Sequence, residues 1–315
     1  MVSVHIEKGR VSVRETARKP KRPKGHALLK LITGGICNTD LELQRGYYGF
    51  SGTPGHEFVA EVAGASERLR GRRVVGEINL PCGTCGWCRR GLGRHCPKRT
   101  VLGIVRHPGA FQEYFTLPEQ NLLMVPDKVR TDHAVFTEPV AAACEILDQV
   151  RITKGQPVAV LGDGKLGLLI AQVLAAHGAQ VHQFGRHPNK LAIAADAGVL
   201  TSIDAGPTAR FDIVVEATGS ASGFAEAVRM VRPRGTIVMK STVHETVPVD
   251  TAPIIVNEIT LVGSRCGRFQ PAMKLIAAGK LNLDPMIDSR FALRDAPAAF
   301  ARASRKGALK VLLHV

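Results

Sequence analysis

Short apolar runs alternate with longer apolar–polar repeats through the middle of the chain. Residues 158–161 are a continuous apolar run, as expected of a parallel strand buried on both faces. Residues 166–176 are apolar for about three helical turns and stop near His177-Gly178. The pattern then predicts a strand over 181–184, a helix over 189–197, a strand over 211–216 and a helix over 224–231 closed by Pro233-Arg234-Gly235. Two further strands are predicted over 236–240 and 258–262. Such strand–helix alternation predicts a doubly wound parallel sheet, here over about 139–265.

Outside this stretch the pattern changes. Residues 2–6, 27–32 and 58–62 read as strands separated by Gly and Pro loops, and 99–126 as further strands and turns. Residues 141–150 predict a helix carrying Cys144, with Glu138-Pro139 suited to its start, and 271–278 predict another. The last forty residues do not extend the alternation and are expected to rejoin the first domain. The chain is thus expected to be α/β with two domains, 1–138 with 266–315 and 139–265. No apolar run approaches the ~18 residues that span a bilayer, and the N-terminus lacks an apolar signal core. A cytoplasmic location without membrane partners is the resulting expectation.

The turn between the first strand and helix of the alternation reads Gly162-Asp163-Gly164-Lys165-Leu166-Gly167. In G-x-G-x-x-G, the first glycine permits the sharp turn, the second lets backbone approach a pyrophosphate, and the third lets helix and strand pack closely. The diphosphate sits on the free N–H groups at the helix start. With a strand before and a helix after, the turn predicts a dinucleotide site.

Charge adds a second consideration. The formal net charge is +15, with basic clusters at 18–24 and 68–73. A basic surface attracts nucleic acid or anionic small molecules, but aromatic residues are only 5% of the chain and no basic helix interleaves with them. Nucleic acid is not an expected partner.

Cysteines carry the sharpest chemistry. Cys82, Cys85, Cys88 and Cys96 are spaced C-x2-C-x2-C-x7-C, with glycines between them that let the chain curl. Four thiolates complete a tetrahedron around zinc and leave no open position, so this zinc would be structural; an iron–sulfur cluster can also use four cysteines. Cys37, in Gly35-Ile36-Cys37-Asn38-Thr39-Asp40, and His56, in Gly55-His56-Glu57, are donors zinc prefers. Taken singly, a cysteine is commonly a small core hydrophobe.

In their order, these motifs together with Glu138-Pro139 and Glu216-Ala217-Thr218-Gly219 resemble the zinc-dependent medium-chain dehydrogenase/reductase family over nearly the whole chain. The resemblance implies a Rossmann sheet joined to a β-rich, GroES-like catalytic domain with a zinc lobe. It implies a catalytic zinc held by Cys37, His56 and Glu138, with Glu57 beside the metal, Asp40 holding the other ring nitrogen of His56, and Thr39 as a proton-relay hydroxyl. Glu138 matches the branch common among polyol, glucose and threonine dehydrogenases. Zinc would act as a Lewis acid on an alcohol oxygen, and the nicotinamide would carry the hydride. An alcohol or carbonyl substrate, two zinc ions and a homodimer or homotetramer are further expectations.

One departure bears on the cofactor. Where many NAD-binding members have an acid at the end of the second strand, this chain has Gly185, followed by Arg186. Arg186, helped by Lys190, can pair with a 2′-phosphate, so NADP(H) is expected, with NAD second. The expected cofactor contacts are Gly162, Gly164, Lys165, Leu166, Gly167, Gly185, Arg186, Lys190 and Thr218. The alternative function is a non-catalytic NADP(H)-binding sensor or scaffold on the same fold.

Overall fold

A computed structural model describes residues 1–203, 206–242 and 248–315. The chain divides into two compact units, Met1–Glu138 with Ile287–Val315, and Pro139–Met286. The second division falls after the helix Phe269–Ala277, not before it at 266. Residues 278–286, just beyond that helix, are tied to the second unit: Asn282 N–H donates to Gln172 Oε1 at 2.6 Å, and Met286 is fully buried.

The second unit holds a six-stranded, wholly parallel sheet among the described residues. Its order is Leu200–Ser202, Gln180–Phe184, Pro157–Leu161, Phe211–Glu216, Val231–Met239 and Thr260–Gly263. In chain order this is 3-2-1-4-5-6, the doubly wound arrangement that opens a crevice where the order reverses, beside Pro157–Leu161. Ala159, Val214 and Ile237 from three of these strands are completely buried with Ala227 and Met230 of the helix Ala221–Met230. The strand Val231–Met239 begins where a helix end was expected. Val231 pairs with Phe211, residues 232–235 bulge out, and pairing resumes at Thr236 with Ile213.

The first unit is built on a seven-stranded sheet. Its long strand His26–Ile36 uses its first half to pair with Tyr114–Pro118 and its second half with Lys310–His314. On its other side lies Glu57–Gly64, then Arg73–Gly76 and Leu122–Met124. Ile287–Ala292 pairs in parallel with Lys310–His314 at the far edge. The C-terminal segment is therefore an integral part of this sheet. The expected strand over 27–32 continues through Thr33-Gly34-Gly35 to Ile36, carrying the chain directly to Cys37. The helix Thr137–Gln149 starts earlier than expected, with Pro139 in its first turn, where a missing N–H leaves no bond unmade.

Candidate active site and zinc lobe

Cys37 caps the short helix Asn38–Gln44, and this places Asp40 one turn along, facing back. Asp40 is fully buried. Its Oδ2 accepts the Cys37 N–H at 2.9 Å, and its Oδ1 accepts the Gly55 N–H at 3.1 Å and lies 3.4 Å from His56 Nδ1. One carboxylate thus ties down the cysteine backbone by a hydrogen bond and faces the histidine ring, whose Nδ1 makes no hydrogen bond, through charge. Burial lowers the His56 pKa, but Asp40 and Cys37 together outweigh it and hold the imidazole well above its ordinary value. Thr39 Oγ1 lies 3.8 Å from Cys37 Sγ.

Glu57 opens the strand Glu57–Gly64 and is fully buried beside His56. Its Oε2 pairs with the Lys310 ammonium, which is also buried, while its Oε1 has no hydrogen-bond partner. Gly35 makes room for this pair: a Cβ there would stand 2.8 Å from Glu57 Oε2 and 3.1 Å from Lys310 Cδ. Burial works against the Lys310 charge, yet Glu57, then Cys37, and more weakly Glu138 raise its pKa above the ordinary value.

Donor atoms of Cys37, His56 and Glu57 all lie within 4.8 Å of one another. A thiol, an imidazole and a buried carboxylate with one orphaned oxygen are a donor set that fits zinc. Glu138, expected as the third ligand, is outside this tight group; it stands at the start of Thr137–Gln149, partly buried, where its charge is felt by Lys310.

The four remaining donors converge without help from elsewhere. Cys82–Cys96, Cys82–Cys88, Cys85–Cys88 and Cys85–Cys96 sulfurs are 3.6, 3.9, 3.5 and 3.7 Å apart. A tetrahedron with metal–sulfur bonds of about 2.3 Å has edges of about 3.8 Å, so the sulfurs already stand at its corners. The Thr84 backbone N–H, the Thr84 hydroxyl and the Cys85 N–H bring the Cys82 thiol down to about 5. Partial desolvation and the Cys85 thiol push Cys88 up to about 11.

In the second unit the three glycines divide their tasks. Gly162 has φ +107°, and a Cβ there would meet the Ala217 carbonyl at 2.5 Å. Gly167 packs the helix Lys165–His177 against the turn, 2.3 Å from the Gly162 carbonyl by the same measure. Gly164 is exposed, with nothing within 4 Å of where its Cβ would be. That open space at the start of a 13-residue helix is the cradle a diphosphate fits. Thr218 backs the turn and donates its hydroxyl to buried Glu216 at 2.6 Å.

Asp163 was not anticipated from sequence. Its carboxylate crosses to the end of Gln180–Phe184 and accepts the Arg186 and His187 N–H groups at 2.7 and 2.6 Å, with His187 Nδ1 at 3.0 Å. Burial raises its pKa, but these donors prevail and lower it. A Cβ on Gly185 would strike Asp163 Oδ2 at 2.6 Å, so any larger residue there would push the Asp163 side chain aside. Arg186 is exposed, whereas Lys190 is buried. Lys310 was also missed. Its signal is a single charge inside the apolar run Leu309-Lys310-Val311-Leu312-Leu313; that of Asp163 is an acid between two motif glycines.

Residues 23–127 match the alcohol dehydrogenase GroES-like domain, and 166–278 the zinc-binding dehydrogenase domain. The chain is 30% identical to an L-threonine 3-dehydrogenase of Chelativorans sp. (strain BNC1), over 93% of this chain and 92% of that one. It is similar to the solved structure of a zinc-binding dehydrogenase from Sinorhizobium meliloti 1021 bound to NADP, with TM-score 0.91, 28% identity and coverage of 100% and 99%. A short chain alcohol dehydrogenase from E. coli CFT073 complexed with NADH superposes with TM-score 0.90 and 26% identity, covering 100% of this chain and 99% of that one. Given these matches across both units, the chain belongs to the zinc-dependent medium-chain dehydrogenase/reductase family and is an oxidoreductase that acts on alcohols with zinc and a nicotinamide cofactor.

Proposed function

We propose that the enzyme transfers a hydride between NADP(H) and a primary or secondary alcohol of the polyol, sugar or amino-alcohol class. The convergence of half-buried Cys37 with buried His56 and Glu57 within 4.8 Å carries this reading. Cys37 and His56 hold a catalytic zinc with Glu138, Glu57 standing alongside, and the four lobe cysteines hold a second, structural one. When bound, zinc supplies a Lewis acid for the alcohol oxygen and the nicotinamide accepts the hydride. Asp40 keeps His56 in one orientation, as such outer partners do for metal-bound imidazoles. Lys310 fixes Glu57, and the Thr39 hydroxyl takes the substrate proton onward.

The NADP preference rests on the second strand's end. Asp163, the one acid there among the described residues, already accepts two backbone N–H groups and faces His187. Its Oδ2 is taken by these two N–H groups and its Oδ1 faces the His187 ring, which leaves it less available to ribose hydroxyls, while exposed Arg186 suits a phosphate. Steady-state kinetics with both cofactors test this. Arg186→Ala should raise KM for NADP(H) by about tenfold or more, the worth of one charged hydrogen bond, and change NAD(H) little. Equal effects on the two cofactors would remove the phosphate assignment.

A further inference from the structure

The N-terminal hairpin, the turn Tyr47–Gly49, residues 50–53 and the loop 97–108 surround a cavity of about 990 Å³. Arg14, Arg99, Arg106, His5 and His107 line it, and among the described residues no aspartate or glutamate does. The Nε of Arg99 is buried without a hydrogen-bond partner, while its Nη1 donates to the Cys96 carbonyl at 3.1 Å. Arg14 is exposed and pairs with the exposed Glu7 at 3.5 Å. His5 has its pKa lowered, first by burial and then by Arg14, as expected where positive charge accumulates. Hydroxyls of Tyr48 and Thr53 belong to the same lining.

The walls are pinned and are continuous with the donor group. Gly52 and Ile6 exchange backbone hydrogen bonds at 2.8 and 2.9 Å, and the Thr53 carbonyl accepts the Gly109 N–H at 2.8 Å. Tyr47–Gly49 comes directly after the helix that starts at Cys37, and residues 52–53 run two residues later into Gly55-His56. The cavity is therefore formed by the same segments that deliver Cys37 and His56, yet none of Cys37, Thr39, His56, Glu57 or Glu138 lines it. Arginines gathered around a cavity whose lining carries no acid, one of them half-buried with an unpaired Nε, can hold phosphate and carboxylate groups through charge-assisted bonds.

We infer that this cavity binds the anionic end, a phosphate or a carboxylate, of the alcohol on which the enzyme acts. The inference rests on the alcohol dehydrogenase reading above and narrows its substrate class to phosphorylated or carboxylated polyols.

Calorimetric titration of the zinc-loaded enzyme, with the cofactor site saturated by NADP, uses inorganic phosphate and acetate as separate ligands. At least one should bind, and which one is tighter distinguishes a phosphoryl from a carboxylate substrate. Arg106→Gln and Arg14→Gln should each weaken that binding by about tenfold, the loss expected for one charged hydrogen bond. Binding of neither anion, or equal binding by the variants, would overturn the inference. Glucitol and glucitol 6-phosphate turnover separates the two readings. Oxidation of glucitol with no anion binding sinks the cavity and keeps the dehydrogenase. Anion binding lost in the arginine variants, with no oxidation of any alcohol, keeps the cavity and sinks the reaction proposed for it.

Discussion

The first unit contains two donor groups built on opposite plans. The lobe gathers four identical donors from a fifteen-residue stretch, 82–96, with sulfurs 3.5–3.9 Å apart and short backbone turns as its whole support. The other group takes unlike donors from two chain segments and leans on one residue of the Cys37 segment and one from the far end of the chain: Asp40 behind Cys37 and His56, and Lys310 behind Glu57. A closed tetrahedron of thiolates needs only loop geometry. A site that must leave room for a substrate needs its ligands oriented by neighbours, and those neighbours come from wherever the fold brings them.

The largest test of this contrast separates the two sites by zinc content. Cys88→Ser should lose lobe zinc and lower the melting temperature. Glu138→Ala should keep lobe zinc, lose the other ion, and cut kcat/KM by more than about 100-fold, beyond the 10–100-fold typical of a residue that only supports a ligand. If Glu138→Ala stays active and Glu57→Gln does not, the third ligand is Glu57, the carboxylate already within 4.8 Å of Cys37 and His56.

Next in size is Lys310. Lys310→Met leaves the Glu57 carboxylate buried and unpaired, which should cost about 3–5 kcal/mol in denaturant unfolding. Pairing it with Glu57→Gln should restore most of that loss; a double variant as unstable as the single would mean that Lys310 acts by packing against Phe136, 5.9 Å away, not by charge. The smallest effect is expected of Asp40→Asn, which keeps the side chain's size and one of its two N–H acceptors, turns the other into a donor, and so weakens the hold on Cys37 and His56. Competition with a chelator should show the buried ion bound 10–100-fold less tightly, within the range for such partners, and the lobe ion unchanged. Equal weakening at both sites would erase the distinction drawn between them.

These differences also explain what could be read from the amino-acid order. The lobe and the glycine turn are each coded within a short stretch, so spacing alone exposes them. Parallel strands such as Phe211–Glu216 announce themselves because both faces are buried. The strand Leu200–Ser202 and the helix Ala252–Val256 escaped notice because they are short and largely exposed, with no apolar periodicity to reveal them. Lys310 and Asp163 escaped for another reason. Each acts on a partner that only the fold supplies: Glu57, 253 residues away, and the second strand's end, 23 and 24 residues away. The choice between Glu57 and Glu138 is of the same kind, since one carboxylate follows the histidine directly and the other lies some eighty residues on, and chain order cannot say which the fold brings to the donor group.

The interior placement of Lys310–His314, between His26–Ile36 and Ile287–Ala292, has a consequence for biosynthesis. A ribosome adding about 5–20 residues per second needs on the order of 15–50 s to travel from Ile36 to Lys310. Throughout that interval the sheet lacks a central strand and Glu57 lacks its counter-charge. The intervening second unit emerges whole in the meantime. Its folding is thus free to finish first, and the nascent first unit offers an open strand edge that chaperones or aggregation compete for until the last strand arrives.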